Sequence, residues 1–174
     1  MVTIRPAKME EYAAAVKFYS DLIDSMREAE YKPEWKMGVY PTYRMLQNAI
    51  ENRTLYFAHH ETCFAGAMIL NHECSPEYDS VKWQTDADKD EVMVIHALGV
   101  SPSYQGKGIA KQIVSKIIEM CGQRSVKVIR LDVLKKNIPA AKLYSAMGFQ
   151  HIASIQMFYE DTGLADFELY ELIL

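Results

Sequence analysis

The stretch Val92–Arg124 reads VMVIHALGVSPSYQGKGIAKQIVSKIIEMCGQR, and it decides the fold. It begins with a continuous apolar run, Val92–Val100, which predicts a buried strand. After Ser-Pro-Ser-Tyr, the segment Gln105–Ala110 opens an amphipathic helix. The apolar face of this helix recurs at every fourth position, with Ile109, Ile113, Ile117 and Cys121. A strand that leads through a glycine-containing loop into a helix N-terminus is typical of an anion site, because the N–H groups of the first turn are free.

The loop between strand and helix favours a phosphate ligand. Gly106 and Gly108 allow the backbone to approach a phosphate without an intervening Cβ, and Lys107 adds a positive charge. A P-loop is excluded, because the chain contains no G-x-x-x-x-G-K-[ST] string. A dinucleotide fingerprint is also excluded, since Lys111 stands where glycine or alanine is needed and too little chain follows for a doubly wound sheet.

A second segment, Val126–Phe149, carries an independent pattern. Its first part, Val126–Leu134, is apolar enough to predict another buried strand. A short helix is predicted over Ala140–Met147, with Asn137 as its N-cap and Gly148 as its left-handed stop.

Together the two segments resemble the GNAT superfamily of acetyl-CoA-dependent N-acyltransferases. Gln105-x-x-Gly108-x-Ala110 is similar to the superfamily's pyrophosphate-binding loop, Q/R-x-x-G-x-G/A. The string LDVLKKNIPAAKLYSAMGF is similar to its second signature, L-x-V-x-x-x-N-x-x-A-x-x-L-Y-x-x-x-G-F. The resemblance covers Val92–Phe149. It implies an α/β (α+β) fold with a mixed, mostly antiparallel central sheet, splayed in the middle and flanked by helices.

The rest of the chain follows the element order that this resemblance implies. Apolar periodicity, turn residues and polar stretches define the remaining segments. In chain order we predict a strand at Val2–Arg5, a helix at Lys8–Glu28, a helix at Thr42–Asn52, a hairpin of Thr54–His60 and Cys63–Asn71 with a bulge near Gly66, a polar surface loop at His72–Asp90, and final strands at His151–Glu160 and Phe167–Ile173.

Composition limits the class of protein. The 174 residues are 49% hydrophobic and 24% charged, which predicts one globular domain over residues 1–174. A net charge of −4 argues against nucleic acid or an anionic membrane as the main partner. The three cysteines are scattered, no apolar run is long enough for a bilayer, and the N-terminus lacks a secretory pattern. We therefore expect a cytoplasmic protein.

The resemblance implies acetyl-CoA (coenzyme A) as the cofactor and assigns residues to it. Main-chain groups at the end of the apolar strand would bind the pantetheine arm and polarise the thioester carbonyl. The glycine loop would bind the pyrophosphate, and Asn137 would both cap its helix and contact the pantetheine. The residues expected to bind the cofactor are Leu98, Gly99, Val100, Gln105, Gly106, Lys107, Gly108, Ile109, Ala110, Asn137 and Tyr144.

Acetyl transfer to an amine requires that the acceptor lose a proton and that the departing thiolate gain one. The resemblance implies Tyr144 as the general acid, with a core tyrosine as the alternative. His96 interrupts an apolar strand and is a candidate base, because imidazole titrates near neutrality. A buried, hydrogen-bonded histidine is an equal interpretation. Glu91, at the start of the same strand, is a competing base that would act through a water molecule.

The acceptor site is expected beneath the loop Tyr31–Pro41, which the resemblance places over the acceptor pocket. Its aromatic residues Tyr31, Trp35 and Tyr40 are candidates for the pocket wall. No metal is expected, because the histidines and cysteine of His59–Cys63 lie in a hairpin, where adjacent side chains point to opposite faces.

The sequence thus predicts an N-acetyltransferase that moves acetyl from acetyl-CoA to the primary amine of a small molecule by direct attack in a ternary complex. Three alternatives stay open: a different acyl donor, an amine on a protein, and a non-catalytic acyl-CoA-binding regulatory module. The identity of the acceptor and the existence of a homodimer are left open as well.

Overall fold

The computed structural model describes every residue from Met1 to Leu174, and its centre is one seven-stranded sheet. The strand order is β1-β2-β3-β4-β5-β7-β6, and only the β4–β5 pair is parallel. The prediction of a mixed, mostly antiparallel sheet is therefore confirmed. The strands are β1 (Val2–Pro6), β2 (Leu55–His60), β3 (Cys63–Asn71), β4 (Val92–Val100), β5 (Val128–Leu134), β6 (Gln150–Tyr159) and β7 (Gly163–Ile173).

Four helices pack on the two faces of this sheet. They are α1 (Tyr12–Ser25), α2 (Tyr43–Glu51), α3 (Ile109–Gly122) and α4 (Ile138–Ala146). Helices α1 and α2 share one apolar core with the sheet, whereas α3 and the buried Tyr144 of α4 share the other. Neighbouring residues of β2 alternate between these cores, as the two-residue period of a strand requires. None of the helices has the length and apolar character that crossing a membrane demands.

The ends of the first two helices differ in how closely they match the predictions. The long predicted helix Lys8–Glu28 is shorter at both ends, because a 3₁₀ turn at Met9–Glu11 precedes α1 and a turn follows Ser25. The second helix fits closely. Thr42 caps it, with its Oγ1 accepting a hydrogen bond from the N–H of Met45 at 2.9 Å.

Helix α4 begins two residues earlier than predicted, at Ile138 instead of Ala140. Asn137 occupies the N-cap position, but its side chain makes no capping hydrogen bond, so the expected cap interaction is wrong. Gly148 ends the helix as predicted, with a φ of 89° and its N–H donating to the carbonyl of Ser145. The Asn137 amide is consequently free to serve another partner.

The parallel strands β4 and β5 pair only at their beginnings. Val92–Val94 pair with Val128–Arg130, and beyond these residues the two strands diverge. Each strand keeps its outer neighbour, since β4 continues to pair with β3 and β5 with β7. The predicted splay of the sheet therefore opens a gap between β4 and β5.

A bulge in β4 lies at the rim of this gap. Two residues of β4, Ala97 and Leu98, lie opposite Met68 of β3. Ala97 has a φ of 49°, in the left-handed region that non-glycine residues seldom occupy, and its carbonyl accepts a hydrogen bond from the Tyr19 hydroxyl at 2.8 Å. Because of the extra residue, Leu98 packs against the same core as Ile95, although three positions separate them.

The segment His72–Asp90 is more firmly packed than the predicted surface loop. Tyr78 is buried, and the Trp83 ring lies 4.3 Å from the guanidinium carbon of Arg130. Arg130 itself is buried and forms an ion pair with the buried Glu171 at 2.8 Å. Long-range contacts with β5 and β7 thus fix this segment across one face of the sheet, which its polar composition did not indicate.

Candidate active site

An open groove of about 920 Å³ runs from the end of β4 across the start of α3 to α4. It brings together most residues that were predicted to bind a cofactor. They are Leu98, Gly99, Val100, Gln105, Gly106, Gly108, Ile109, Ala110 and Asn137. Of the remaining two, Lys107 places its amino group 5.8 Å from the ring centre of Tyr104 at the groove, and Tyr144 lies deeper, in an adjoining cavity.

The loop before α3 has the backbone geometry that an anion site needs. Gly106 and Gly108 both have a φ of 73°, and a Cβ at either position would meet no atom within 4 Å. Gly108 is the N-cap of α3, so no side chain covers the free N–H groups of the first turn. Together with Lys107, this open, uncapped and positively polarised helix end fits a pyrophosphate group.

A second cavity of about 100 Å³, smaller and more enclosed than the groove, lies in the gap between β4 and β5. Both strands, α4, the turn between β6 and β7, and the loop between α1 and α2 contribute to its wall. The cavity and the groove share five lining residues, Pro33, Trp35, Leu98, Asn137 and Ala140. A group held in the groove can therefore meet a second molecule held in the cavity.

Asp132 of β5 lies in the cavity wall, and our sequence reasoning gave it no role in this site. Its carboxylate accepts hydrogen bonds from the hydroxyl groups of Tyr78, at 2.9 Å, and Tyr159, at 3.2 Å. Removal from bulk water raises the pKa of Asp132 to about 6, although the two hydroxyl groups oppose this shift. The sequence did carry a signal, because Asp132 interrupts the apolar run of β5 just as His96 interrupts that of β4.

Tyr144 lines the same cavity from α4. The residue is 6% exposed, its ring packs edge-on against Phe149, and its hydroxyl makes no hydrogen bond to another protein group. Burial, and secondarily the charge of Asp132, raises the pKa of Tyr144 above that of an ordinary phenol. The phenol therefore stays protonated at neutral pH and has a proton to give.

His96 lines the cavity from β4. Its ring also reaches a second surface depression, where it contacts Asn71. The Asn71 Oδ1 atom lies 2.9 Å from His96 Nε2 and also accepts a hydrogen bond from the N–H of Glu73 at 3.0 Å. Because that oxygen is an acceptor, the proton of the imidazole belongs on Nε2. Burial lowers the pKa of His96 to about 4, so the ring is neutral at physiological pH.

Glu91, the competing candidate base, is not brought to the cavity. It lies at the other end of β4, where its carboxylate pairs with Lys127 at 2.8 Å and accepts a hydrogen bond from the N–H of Asp88 at 3.0 Å. Through these two contacts Glu91 stabilises the start of β4, which is a structural role.

Aromatic residues of the loop between α1 and α2 line both the cavity and the groove. Trp35 and Tyr40 line the enclosed cavity, with ring centres 6.2 Å apart, and Tyr40 also packs against Tyr159 at 5.7 Å. Tyr31 is 48% exposed and lines only the groove. The structure therefore places two of the three predicted acceptor-site aromatics around the cavity and the third beside the groove.

Comparison with known proteins shows which family model and which relatives this chain matches. The model of the acetyltransferase (GNAT) family matches residues 14–149. The N-alpha-acetyltransferase RimI of Mycobacterium tuberculosis is 30% identical over 69 residues, which is 40% of this chain and 42% of that protein. Across the first three curated relatives, the match spans only 26–42% of the relative's length.

Solved structures extend the similarity to the whole fold. A GNAT-family acetyltransferase from Streptococcus agalactiae superposes with a TM-score of 0.81 at 17% identity, covering 99% of this chain and 95% of that one. NAA60 of Arabidopsis thaliana, solved in complex with acetyl-CoA, gives a TM-score of 0.66 at 18% identity and covers 100% of both chains. At these identities the likeness establishes the fold.

Proposed function

The chain belongs to the acetyltransferase (GNAT) family, and we propose that it transfers the acetyl group of acetyl-CoA to the primary amine of a small molecule. The observation that carries this proposal is the junction of two spaces, an open groove with an uncapped helix N-terminus and an enclosed cavity with a carboxylate in its wall. By the measure in which one water molecule needs about 10–15 Å³, the cavity of about 100 Å³ suits a small acceptor.

The groove would bind the cofactor through groups of this chain that are already in place. The N–H groups at the start of α3 and the loop around Gly106 and Gly108 would hold the pyrophosphate. Backbone groups of Leu98–Val100 and the free amide of Asn137 would hold the pantetheine arm beside the gap. Acetyl-CoA supplies an activated acetyl thioester at this point.

In the cavity, Asp132 is our proposed proton acceptor. The acceptor nitrogen forms a C–N bond to the acetyl carbon while the C–S bond breaks, and an ammonium acceptor loses two protons in all. The second proton replaces the one given to the departing sulfur, and the first, which leaves before the attack, goes to Asp132. A carboxylate with a pKa of about 6 is ionised at neutral pH yet basic enough to take that proton. Desolvation favours the transfer, because an ammonium ion and a carboxylate in a confined cavity both become neutral.

Tyr144 is our proposed proton donor to the departing sulfur. It lines the cavity on the α4 side, and no protein group competes for its hydroxyl hydrogen. His96 remains a proposed participant as a neutral imidazole in the cavity wall. Its lowered pKa makes it a weaker base than Asp132 at neutral pH.

A second acceptor class is favoured by one observation. The N-alpha-acetyltransferase RimI and a [ribosomal protein bS18]-alanine N-acetyltransferase of Haemophilus ducreyi are each about one-third identical to part of this chain, at 30% and 32%. The amine of a protein N-terminus is therefore the alternative acceptor, with the chain end entering the cavity from the α1–α2 loop.

The test is release of free thiol from acetyl-CoA by the purified chain, with mass spectrometry of the acetylated product. Small primary amines and peptides with a free N-terminal amine form the two acceptor panels. We expect turnover with small amines, and loss of most of it in Asp132→Asn. Turnover with peptides alone would favour the second acceptor class. Acetyl-CoA binding without turnover on either panel would instead assign the chain to non-catalytic binding.

A further inference from the structure

The turn between β6 and β7 buries a carboxylate group that has an unsatisfied oxygen. Asp161 is 9% exposed, and its Oδ1 atom is out of contact with solvent and has no hydrogen-bond partner. No lysine, arginine or histidine forms an ion pair with it. The carboxylate accepts hydrogen bonds from the backbone N–H groups of Asp161 and Thr162, but these leave Oδ1 unsatisfied. A buried carboxylate oxygen without a partner is costly and rare in native proteins, so its presence indicates a group that binds there.

Asp161 lies in the wall of the same enclosed cavity as Asp132. Both carboxylates act on the hydroxyl of Tyr40. After burial, their negative charges are the main causes that raise the pKa of Tyr40. No lysine or arginine lines the cavity. Lys36 acts on Asp161 from a distance and is opposed by Glu34. The cavity therefore has two acidic groups and no positive charge of its own.

The rest of the cavity wall also suits a cation. Trp35, Tyr40, Tyr159 and Phe167 contribute aromatic rings, and the faces of such rings attract an ammonium group. The same rings pack well against a short aliphatic chain. An acceptor without a second amino group would gain the packing interaction but would leave Oδ1 of Asp161 without a partner.

From this arrangement we infer that the acceptor is a short aliphatic diamine, which places one amino group at Asp132 for acetylation and binds the second, as an ammonium ion, at Asp161. The inference rests on the proposed function and adds the substrate class to it. By the measure in which one water molecule needs about 10–15 Å³, a cavity of about 100 Å³ holds roughly seven to ten heavy atoms, so a diamine with two to five carbon atoms is the scale expected. Asp161 is accordingly a specificity-determining residue.

The experiment compares kcat/KM for diamines of two to five carbons with that for monoamines of the same length, using the full chain and acetyl-CoA. We expect a preference for the diamine of about 10- to 100-fold, the usual range for a hydrogen bond between charged groups. In Asp161→Asn this preference should fall to nearly one, because kcat/KM falls much more for the diamines than for the monoamines. Glu160→Gln, an exposed neighbour, serves as the matched control and should keep the preference.

Equal turnover of diamines and monoamines by the unaltered chain would overturn the inference and leave the proposed function intact. An Asp161→Asn variant that loses both activities equally, with a native circular dichroism spectrum, would also overturn it, because Asp161 would then have a structural role. Absence of turnover with any amine would count against the proposed function itself.

Discussion

The carboxylate of Glu34 lies 2.7 Å from the ammonium group of Lys136. This ion pair joins the aromatic loop between α1 and α2 to the residue just before Asn137, on the other side of the cavity. Glu34 has a φ of 65°, so the loop holds a seldom-used backbone conformation at the point of contact. The pair therefore fixes the position of Trp35 relative to α4.

We expect Lys136→Met to loosen the loop and raise the acceptor KM. The side chains are 58% and 30% exposed, so the pair contributes at most about 1 kcal/mol and the KM should rise no more than about fivefold. The KM for acetyl-CoA should hardly change. Steady-state kinetics at low and high salt would check this, with Lys135→Met as the control. A larger effect on acetyl-CoA would place the role of Lys136 in the groove.

Gly108→Glu should abolish acetyl-CoA binding in calorimetry while the circular dichroism spectrum stays native. The new side chain would project into the open space before α3, and its carboxylate would repel the pyrophosphate. Part of the loss of affinity would come from backbone strain, because residue 108 has a φ of 73°. Gly163→Glu controls for this, since its φ is 66° with open space around it. Undiminished affinity in Gly108→Glu would remove the basis for the cofactor site.

Tyr144→Phe should keep the affinity for acetyl-CoA and lower kcat by about 10²- to 10⁴-fold, the usual contribution of general acid catalysis. Its stability should be nearly unchanged, because the hydroxyl has no protein partner to lose. Tyr170→Phe, in the same core but outside both spaces, should retain full activity. Rapid-quench measurement of the chemical step would decide the matter. A chemical step as fast as that of the unaltered chain would show that Tyr144 only fills space.

The pH dependence of kcat/KM should identify the base. Asp132 must be ionised to accept a proton, so the rate should rise with pH through a midpoint near its pKa of about 6. His96, with a pKa of about 4, would give a midpoint well below that. We expect Asp132→Asn to lose the limb near pH 6 and His96→Gln to keep it. Loss of that limb in His96→Gln would make the histidine the base.

Asp132 should also affect stability with pH. Its folded-state pKa lies above the ordinary value of 3.8, so the folded chain binds its proton more tightly than the unfolded chain does. The free energy of unfolding therefore falls as pH rises from about 4 to about 6, by an amount on the order of 1–3 kcal/mol. Urea denaturation across this range should show the fall in the unaltered chain and a smaller one in Asp132→Asn. An identical fall in both would mean that other groups cause it.

Sequence patterns predicted the elements that are determined by residues close together in the chain. The run Val92–Val100 coincides with β4, α3 begins within the predicted segment Gln105–Ala110, and Gly148 ends α4 as predicted. Strand periodicity and left-handed glycine act within a few residues, so the sequence alone indicates them. The bulge at Ala97 had no such signal, since alanine is not a residue that favours a positive φ. It depends instead on Tyr19, 78 positions away in sequence.

The acidic half of the candidate site could not be predicted for the same reason. The hydroxyl partners of Asp132 are 54 and 27 positions away in sequence, on segments interpreted as a surface loop and as a strand. Asp161 was recognised only as part of a turn. Asp161 is buried because the residues around the cavity pack against it. Turn residues in the sequence do not indicate which other segments pack against the turn.

Because β4 pairs with β5 only over its first residues, the rest of β4 has an unpaired edge on that side, and this edge lies within the sheet. Backbone donors and acceptors along it have no neighbouring strand, and an edge of this kind is a template for any extended polar chain that reaches it. A ligand that lies along it would form the hydrogen bonds that this edge lacks, and its binding would stabilise the folded state. The concentration of such a ligand would then determine how long each copy of the chain stays folded before it unfolds or associates.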